Sequence, residues 1–179
     1  MNKDELGKLY PVFLTPYDSS WPELFKKEKN ILIGIFGTSV KIEHIGSTAI
    51  IGLTAKPTID ILIEKPEIMN DEQIIKIMTG NGYIHMEEQT GHLMFVKGYS
   101  PGGLEKESYH IHMGPVNQNW LWDRIYFRDY LNINPDEARE YEMLKNELAL
   151  KYQNDREAYT EGKADYIKTV TEKAKNQLQ

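Results

Sequence analysis

The chain has 179 residues, of which 40% are hydrophobic and 27% charged, values typical of one globular domain with a single sizeable core and not of a disordered chain. Its formal net charge of −6 argues against extensive nucleic-acid binding, because such surfaces need clustered lysine and arginine to displace counterions. The chain has no cysteine, which excludes disulfides and thiolate chemistry, and it has no apolar run near the ~20 residues that cross a bilayer.

The N-terminal half is predicted to interleave helices and strands. Its first residues, MNKDELGKLYPVF, lack the basic-then-apolar order of a secretory signal, so we predict a cytoplasmic protein with no membrane partner. The first helix should start at Ser20, with Pro22 in its first turn, and end at Gly37. The other elements predicted for this half are a strand at 39–45, a turn at 46–55, an apolar central strand at 57–64 and a helix at 71–80 capped by Asn70.

The second half is predicted to complete the sheet and then to become helical. The patterns indicate strands at 83–88, 92–99 and 108–114 joined by hairpin-like turns, and then helices at 117–131, 134–153 and 155–176. Asn134 and Glu137 match a capping box at the start of the middle helix. These elements favour an α+β class with a mixed five-stranded sheet. We expect one domain over 1–179, with an α/β core at 1–115 and a helical part at 116–179.

One early apolar stretch carries the first candidate site. Gly46, Ser47 and Thr48 lie between a strand and a turn, where backbone N–H groups and hydroxyls can hold phosphate oxygens. Asp60 follows among aliphatic residues, where an ionised carboxylate is costly to bury unless it is paired or binds a metal. A Mg²⁺ or Mn²⁺ ion on Asp60 would hold a nucleotide or another phosphorylated small molecule. The structural alternatives are a turn that arises by chance and a salt bridge from Lys56 to Asp60.

Longer stretches of the chain resemble a known family. The segment IEHIGSTAIIGLTAKPTIDILI is similar to the signature of the GrpB family, a group of small bacterial proteins related to the nucleotidyltransferase fold. The similarity continues in the segments 17–28, 109–113, 127–145 and 159–167. The resemblance implies a sheet of nucleotidyltransferase type with helices packed on it, a helical C-terminal third and a pocket.

Enzymes of that fold resemble one another in a Gly-Ser turn, two acids one residue apart on the next strand and a third acid on a later strand. In those enzymes the paired acids bind metal that bridges the nucleotide phosphates. This chain matches the pattern at the Gly-Ser turn and at Asp60, but Leu62 stands where the second acid is expected. Glu64 lies about 13 Å along the strand from Asp60, too far to share one ion. Glu43, on the preceding strand, is therefore the candidate second metal ligand.

Two histidines form a second candidate site. In the segment YHIHM the alternation of a strand turns His110 and His112 to the same side, where they can bind a transition metal or a phosphate. This strand falls where the resemblance places the third acid, so we predict that both histidines act with Asp60 and Glu43 in catalysis. His44, beside Glu43, is a further candidate for this cluster.

Three basic residues are candidate phosphate contacts. Lys56 precedes Pro57, which favours an extended conformation directed toward the Asp60 strand. Arg128 lies in an aromatic-rich helix, and Lys163 lies in one of the segments that resemble the family. They complete the predicted nucleotide site with the Gly-Ser turn.

Three functional hypotheses remain open from the sequence. The first is a metal-dependent nucleotidyl- or phosphoryl-transferase that acts on a nucleotide and an unknown acceptor. The second is a non-catalytic nucleotide- or phosphate-binding module, which the loss of the paired acid at Leu62 favours. The third is a phosphoesterase that uses Asp60, His110 and His112 with zinc or manganese.

Overall fold

The computed structural model describes residues 8–87 and 89–178 and places five strands in one mixed sheet. In chain order the strands are β1 (Ile42–Ile45), β2 (Ile59–Glu64), β3 (Ile84–His85), β4 (Leu93–Ser100) and β5 (Gly103–Gly114). Their spatial order is β1-β2-β5-β4-β3. Strands β2 and β5 are parallel, and the other neighbouring pairs are antiparallel. The predicted α+β class with a mixed five-stranded sheet is confirmed.

The predicted helical character of the C-terminal third is also confirmed. The helices of the described residues are α1 (Trp21–Phe36), α2 (Asp71–Gly80), α3 (Asn119–Trp122), α4 (Arg124–Ile133), α5 (Pro135–Lys151), α6 (Arg156–Glu161) and α7 (Ala164–Leu178), with a 3-10 turn at Ser47–Ala49. None of these helices combines the length and the apolarity that spanning a bilayer requires. Two of the helices expected after 116 are each divided in two, and the second division leaves Lys163 in the break between α6 and α7.

The helix starts show where local sequence patterns succeed and fail. At α2 the predicted cap forms, because the Asn70 side chain accepts from the Gln73 N–H at 2.9 Å and the Gln73 side chain accepts from the Asn70 N–H at 3.0 Å. The capping box predicted at Asn134 is wrong. Its side chain instead donates to the Tyr130 carbonyl at 2.9 Å, and the Glu137 carboxylate accepts from Lys173 at 2.6 Å.

The sheet separates the main core from the candidate site. Alternate residues of β2 and β5, Ile59, Ile61 and Ile111 among them, are buried on one face against α1 and α2. Asp60 and Leu62 point to the other face, where Leu62 packs with Leu121 and Trp122. Because strand side chains alternate between faces, Asp60 lies outside the main core although its neighbours in sequence are buried in it.

A register shift between β4 and β5 shapes the same face. Pairing with β5 is regular from Leu93 to Lys97 and shifts between Lys97 and Tyr99. Gly98 occupies the shift with φ of 80°, and a Cβ there would lie 2.1 Å from the Glu107 carbonyl oxygen. Four residues of β5, 105–108, lie between the partners of Lys97 and Tyr99, whereas β4 has Gly98 alone between them. The surplus residues of β5 disrupt the ladder locally, and the Tyr99 hydroxyl lies 2.6 Å from His110 Nε2.

Candidate functional site

Asp60, His110 and His112 form the centre of the site. The parallel register places Asp60 of β2 beside His110 of β5 and Leu62 beside His112. The Asp60 Oδ1 atom lies 3.1 Å from His110 Nδ1 and 3.9 Å from His112 Nε2. With 28% of its side chain exposed, Asp60 opens to the surface, whereas His110 and His112 are 16% and 11% exposed. The predicted grouping of these residues on one face is therefore present.

The Gly-Ser turn meets Asp60 from the other side. Gly46 has φ of 73°, and a Cβ at this position would lie 2.4 Å from Asp60 Oδ2. Glycine is needed here both for the left-handed backbone and for the close approach of the carboxylate. Ser47 approaches the Tyr141 hydroxyl, and the buried Thr48 hydroxyl donates to the Thr58 carbonyl at 3.3 Å. The Gly-Ser turn and the Asp60 carboxylate therefore lie in direct contact.

The outer nitrogen of each site histidine has its own partner. His110 Nε2 lies 2.6 Å from the Tyr99 hydroxyl, which also accepts from the Arg156 guanidinium at 3.1 Å. His112 Nδ1 lies 2.9 Å from His92 Nε2. These contacts fix the orientation of both rings and leave His110 Nδ1 and His112 Nε2 directed at Asp60.

Burial and hydrogen bonding set the protonation states in this cluster. Burial opposes ionisation of Asp60, but the hydrogen bond from His110 and the nearness of His112 outweigh it and hold its pKa well below the ordinary value. Burial, with the Arg124 charge, lowers the pKa of His112 to about 3 and that of His92 to about 4. Burial also lowers the pKa of His110, against the pull of Asp60. At neutral pH the cluster therefore holds an ionised carboxylate and neutral imidazoles.

Four basic side chains surround this cluster. Burial lowers the pKa of Lys56 to about 7, with help from the nearby Arg156 and Lys163 charges. Burial lowers the pKa of Lys163 to about 8, and Asp60 is the carboxylate that opposes this shift. Burial also lowers the pKa of Arg124, again against Asp60. Within residues 8–87 and 89–178, no carboxylate forms an ion pair with any of these four basic side chains.

Glu43 and Arg128 lie beside the site and engage each other. The Arg128 guanidinium donates to Glu43 at 2.8 Å and to the His44 carbonyl at 2.8 Å, and a second nitrogen donates to Asp129 at 2.7 Å. His44 points to the opposite face of the sheet, where its ring stacks on Phe25. The group able to hold a metal consists of Asp60, His110 and His112, without Glu43 or His44.

Several residues of the site carried no signal in the sequence. These residues, His92, Tyr99, Arg124, Tyr141 and Arg156, come from five different elements or connections, and no spacing relates them to Asp60. Gly98 inside a predicted strand was the available hint for Tyr99, because an interior glycine often marks an irregularity in a strand. Two surface cavities of about 400 and 620 Å³ lie elsewhere, one beside the β4–β5 turn and one between α3, α4 and the end of α7. The convergence of side chains, and not cavity size, identifies the site.

The sequence comparison decides the family. The model of the GrpB protein family matches residues 11–173. The chain belongs to the GrpB family. The glutamate-rich protein GrpB of Alkalihalophilus pseudofirmus is 38% identical over 167 residues, which cover 89% of this chain and 93% of that protein. A UPF0157 protein of Pseudomonas aeruginosa is 39% identical over 163 residues, or 89% of this chain. This chain spans 66% of that relative and 49% of the UPF0157 protein YqkA of Bacillus subtilis.

Solved structures agree with the assignment. The crystal structure of the conserved protein GrpB from Enterococcus faecalis matches with a TM-score of 0.79 and 30% identity, over 93% of this chain and 100% of that one. A structure of the Cid1 poly(U) polymerase with Mg 3′-dATP bound matches with a TM-score of 0.53 and 10% identity, over 83% of this chain and 49% of that one. The second similarity shows the fold alone, so the expected nucleotidyltransferase-like fold is confirmed.

Proposed function

We propose that the Asp60 face binds a nucleotide, or another phosphorylated small molecule, and transfers its nucleotidyl or phosphoryl group with the help of a divalent metal ion. The observation that carries this proposal is the set of four cations, Lys56, Arg124, Arg156 and Lys163, around a single acid. Their charges have no carboxylate partners among the described residues.

The balance of charge favours an anion with several negative charges. Four basic side chains face the one carboxylate of Asp60. Burial lowers the pKa of Lys56 to about 7 and that of Lys163 to about 8, and the charge of Asp60 offsets only part of this effect. A di- or triphosphate would supply ion pairs and raise both pKa values, because an opposite charge favours the charged form. Without such a ligand, each unpaired positive charge at these half-buried positions costs free energy.

The residues have separate roles in the proposed reaction. Lys56, Lys163 and Arg124 bind the phosphate oxygens, and the backbone of the Gly46–Ser47 turn orients them. An acceptor oxygen forms a bond to phosphorus as the bond to the leaving oxygen breaks, the leaving group takes the electron pair, and the proton of the acceptor passes to solvent. A divalent ion at Asp60 would supply further charge neutralisation. Positioning and electrostatics therefore provide most of the catalysis.

Leu62 favours a second candidate function, a binding module without turnover. It occupies the place of the second acid, is fully buried, and packs with Leu121 and Trp122. No carboxylate can enter there without burying a charge against apolar side chains. Water as the acceptor would make the protein a phosphoesterase, a variant of the first function that the His110 and His112 pair favours.

A thermal-shift panel tests the anion site. Nucleoside triphosphates and pyrophosphate are added to the chain in the presence of a chelator, and bound ligand should raise the melting temperature by mass action. Lys163→Met should remove most of the shift, whereas Lys168→Met, a neighbouring exposed lysine, should retain it. Equal shifts in both variants would overturn the proposed anion site.

A turnover assay separates the two candidate functions. The products of each nucleotide that binds are followed with added divalent ions, in the wild type and in Asp60→Asn. Metal-dependent product formation that Asp60→Asn abolishes supports the transferase or phosphoesterase. Binding without any product under these conditions supports the non-catalytic module.

A further inference from the structure

We infer that Asp60, His110 and His112 together hold one first-row transition-metal ion of the imidazole-preferring kind, such as Zn²⁺, and not Mg²⁺. This inference rests on the proposed function and names its metal cofactor. It assigns the two histidines as direct ligands and leaves Glu43 outside the metal site. The donor set is two ring nitrogens and one carboxylate oxygen.

The distances suit a single small ion. One ligand atom from each of the three residues lies within 4.8 Å of the others. Ligands bonded at about 2.1 Å in a tetrahedral site are separated by about 3.4 Å. The Asp60 Oδ1 to His110 Nδ1 distance is 3.1 Å and the Asp60 Oδ1 to His112 Nε2 distance is 3.9 Å. Side-chain adjustments within about 1 Å therefore bring the three atoms to bonding geometry.

The outer nitrogens provide a second, independent indication. A histidine that binds a metal with one nitrogen usually donates the other N–H to an acceptor, which fixes the tautomer. Here His110 Nε2 faces the Tyr99 hydroxyl at 2.6 Å, and His112 Nδ1 faces His92 Nε2 at 2.9 Å. In the metal-free cluster His110 Nδ1 donates to Asp60; with an ion bound, that proton would sit on Nε2, and both ligand nitrogens would direct a lone pair at the ion. Tyr99 and His92 are positioning residues for the metal.

The surrounding charge decides between kinds of metal. Mg²⁺ binds by charge attraction to several oxygens, but here one carboxylate stands among Lys56, Arg124, Arg156 and Lys163. Neutral imidazole donates to a borderline metal ion through its lone pair, which suits Zn²⁺, Fe²⁺, Co²⁺ or Ni²⁺. Buried Leu62 also leaves no second acid for a pair of Mg²⁺ ions.

The three protein ligands are one fewer than a structural zinc site has, and three is the number found in catalytic zinc sites. Three protein ligands leave a fourth position for water or substrate, and Asp60 retains 28% exposure. The basic side chains lie around that opening. A phosphate oxygen held by Lys56 and Lys163 would approach the metal there, so metal and anion should each strengthen binding of the other.

Titration with Co²⁺ alone tests the metal site. The full chain, prepared without a polyhistidine tag and freed of metal by chelation, should bind one Co²⁺ and develop the visible absorption of a low-coordinate ion. Excess Mg²⁺ should not displace it. His110→Gln and His112→Gln should each weaken binding at least about tenfold, and Tyr99→Phe by about 10- to 100-fold. His85→Gln, a strand histidine outside the cluster, should bind as the wild type does.

Two results would overturn the inference: unchanged Co²⁺ binding in both ligand variants, or displacement of Co²⁺ by excess Mg²⁺. If a variant does not fold, the wild type still decides, because Zn²⁺ should shift the ring NMR signals of His110 and His112 and not that of His85. The pyrophosphate shift in chelator is independent of this metal. A missing pyrophosphate shift with normal Co²⁺ binding would therefore contradict the proposed anion site, and missing Co²⁺ binding with a normal pyrophosphate shift would contradict the metal site.

Discussion

Replacing Gly46 by alanine should damage both stability and the site. The change adds a methyl group at φ of 73° and ψ of −173°, a backbone region that essentially only glycine occupies, which costs about 1–3 kcal/mol. The new Cβ would lie 2.4 Å from Asp60 Oδ2 and 3.0 Å from Asp60 Cβ and Cγ. Relieving such an overlap in a packed site costs about 1–3 kcal/mol more. We expect Gly46→Ala to lose roughly 2–6 kcal/mol of unfolding free energy.

Gly52 offers a matched control for this prediction. It has φ of 79°, but nothing lies within 4 Å of its added Cβ. Gly52→Ala should therefore show the backbone cost alone, about 1–3 kcal/mol. Urea unfolding of both variants measures the difference, which is the cost of the approach to Asp60. Asp60→Ala in the Gly46→Ala background should recover part of it. Equal stability of the two glycine variants would refute the close contact that joins the turn to Asp60.

Three further variants test features away from the site. Lys97→Met should lower the unfolding free energy measured in urea by about 3–5 kcal/mol, because it leaves Glu28, 1% exposed, without its 2.9 Å ion pair. The control Lys27→Met removes an exposed ion pair and should lower it by less than about 1 kcal/mol. Similar losses in the two variants would contradict this prediction. Asn70→Ala should cost about 1 kcal/mol by removing the cap, and no change would show that the cap is not stabilising. Burial lowers the pKa of Lys145 from 10.5 to about 7. Between about pH 7 and pH 10.5 the Lys145 amine is therefore more protonated in the unfolded chain than in the folded one. Lys145 consequently increases the unfolding free energy as pH rises, by up to about 1.4 kcal/mol per pH unit. Lys145→Met lacks this term, so its unfolding free energy, followed from about pH 7 to pH 9, should rise less steeply than that of the wild type. Parallel curves would disprove it.

Local patterns were enough to predict the elements and part of the site. The α1 boundaries, the Asn70 cap and the alternation of His110 with His112 depend on residues close in sequence. Such features follow from backbone geometry and short-range hydrogen bonds, which the neighbouring residues determine. The GrpB resemblance placed the Gly-Ser turn and Asp60 in one site, and the structure brings them together at Gly46.

The tertiary structure decided the composition of the site. The β2–β5 register, between residues 50 apart, sets Asp60 beside His110. The β4–β5 register shift beside Gly98 places Tyr99 next to His110. Helices from the C-terminal third bring Arg124 and surround the break that carries Lys163. Glu43 was predicted as a metal ligand from its place on the neighbouring strand, but its contact with Arg128 depends on how α4 packs on β1. Contacts between residues so far apart in the sequence arise from the packing of whole helices and strands, and no pattern within one segment predicts them.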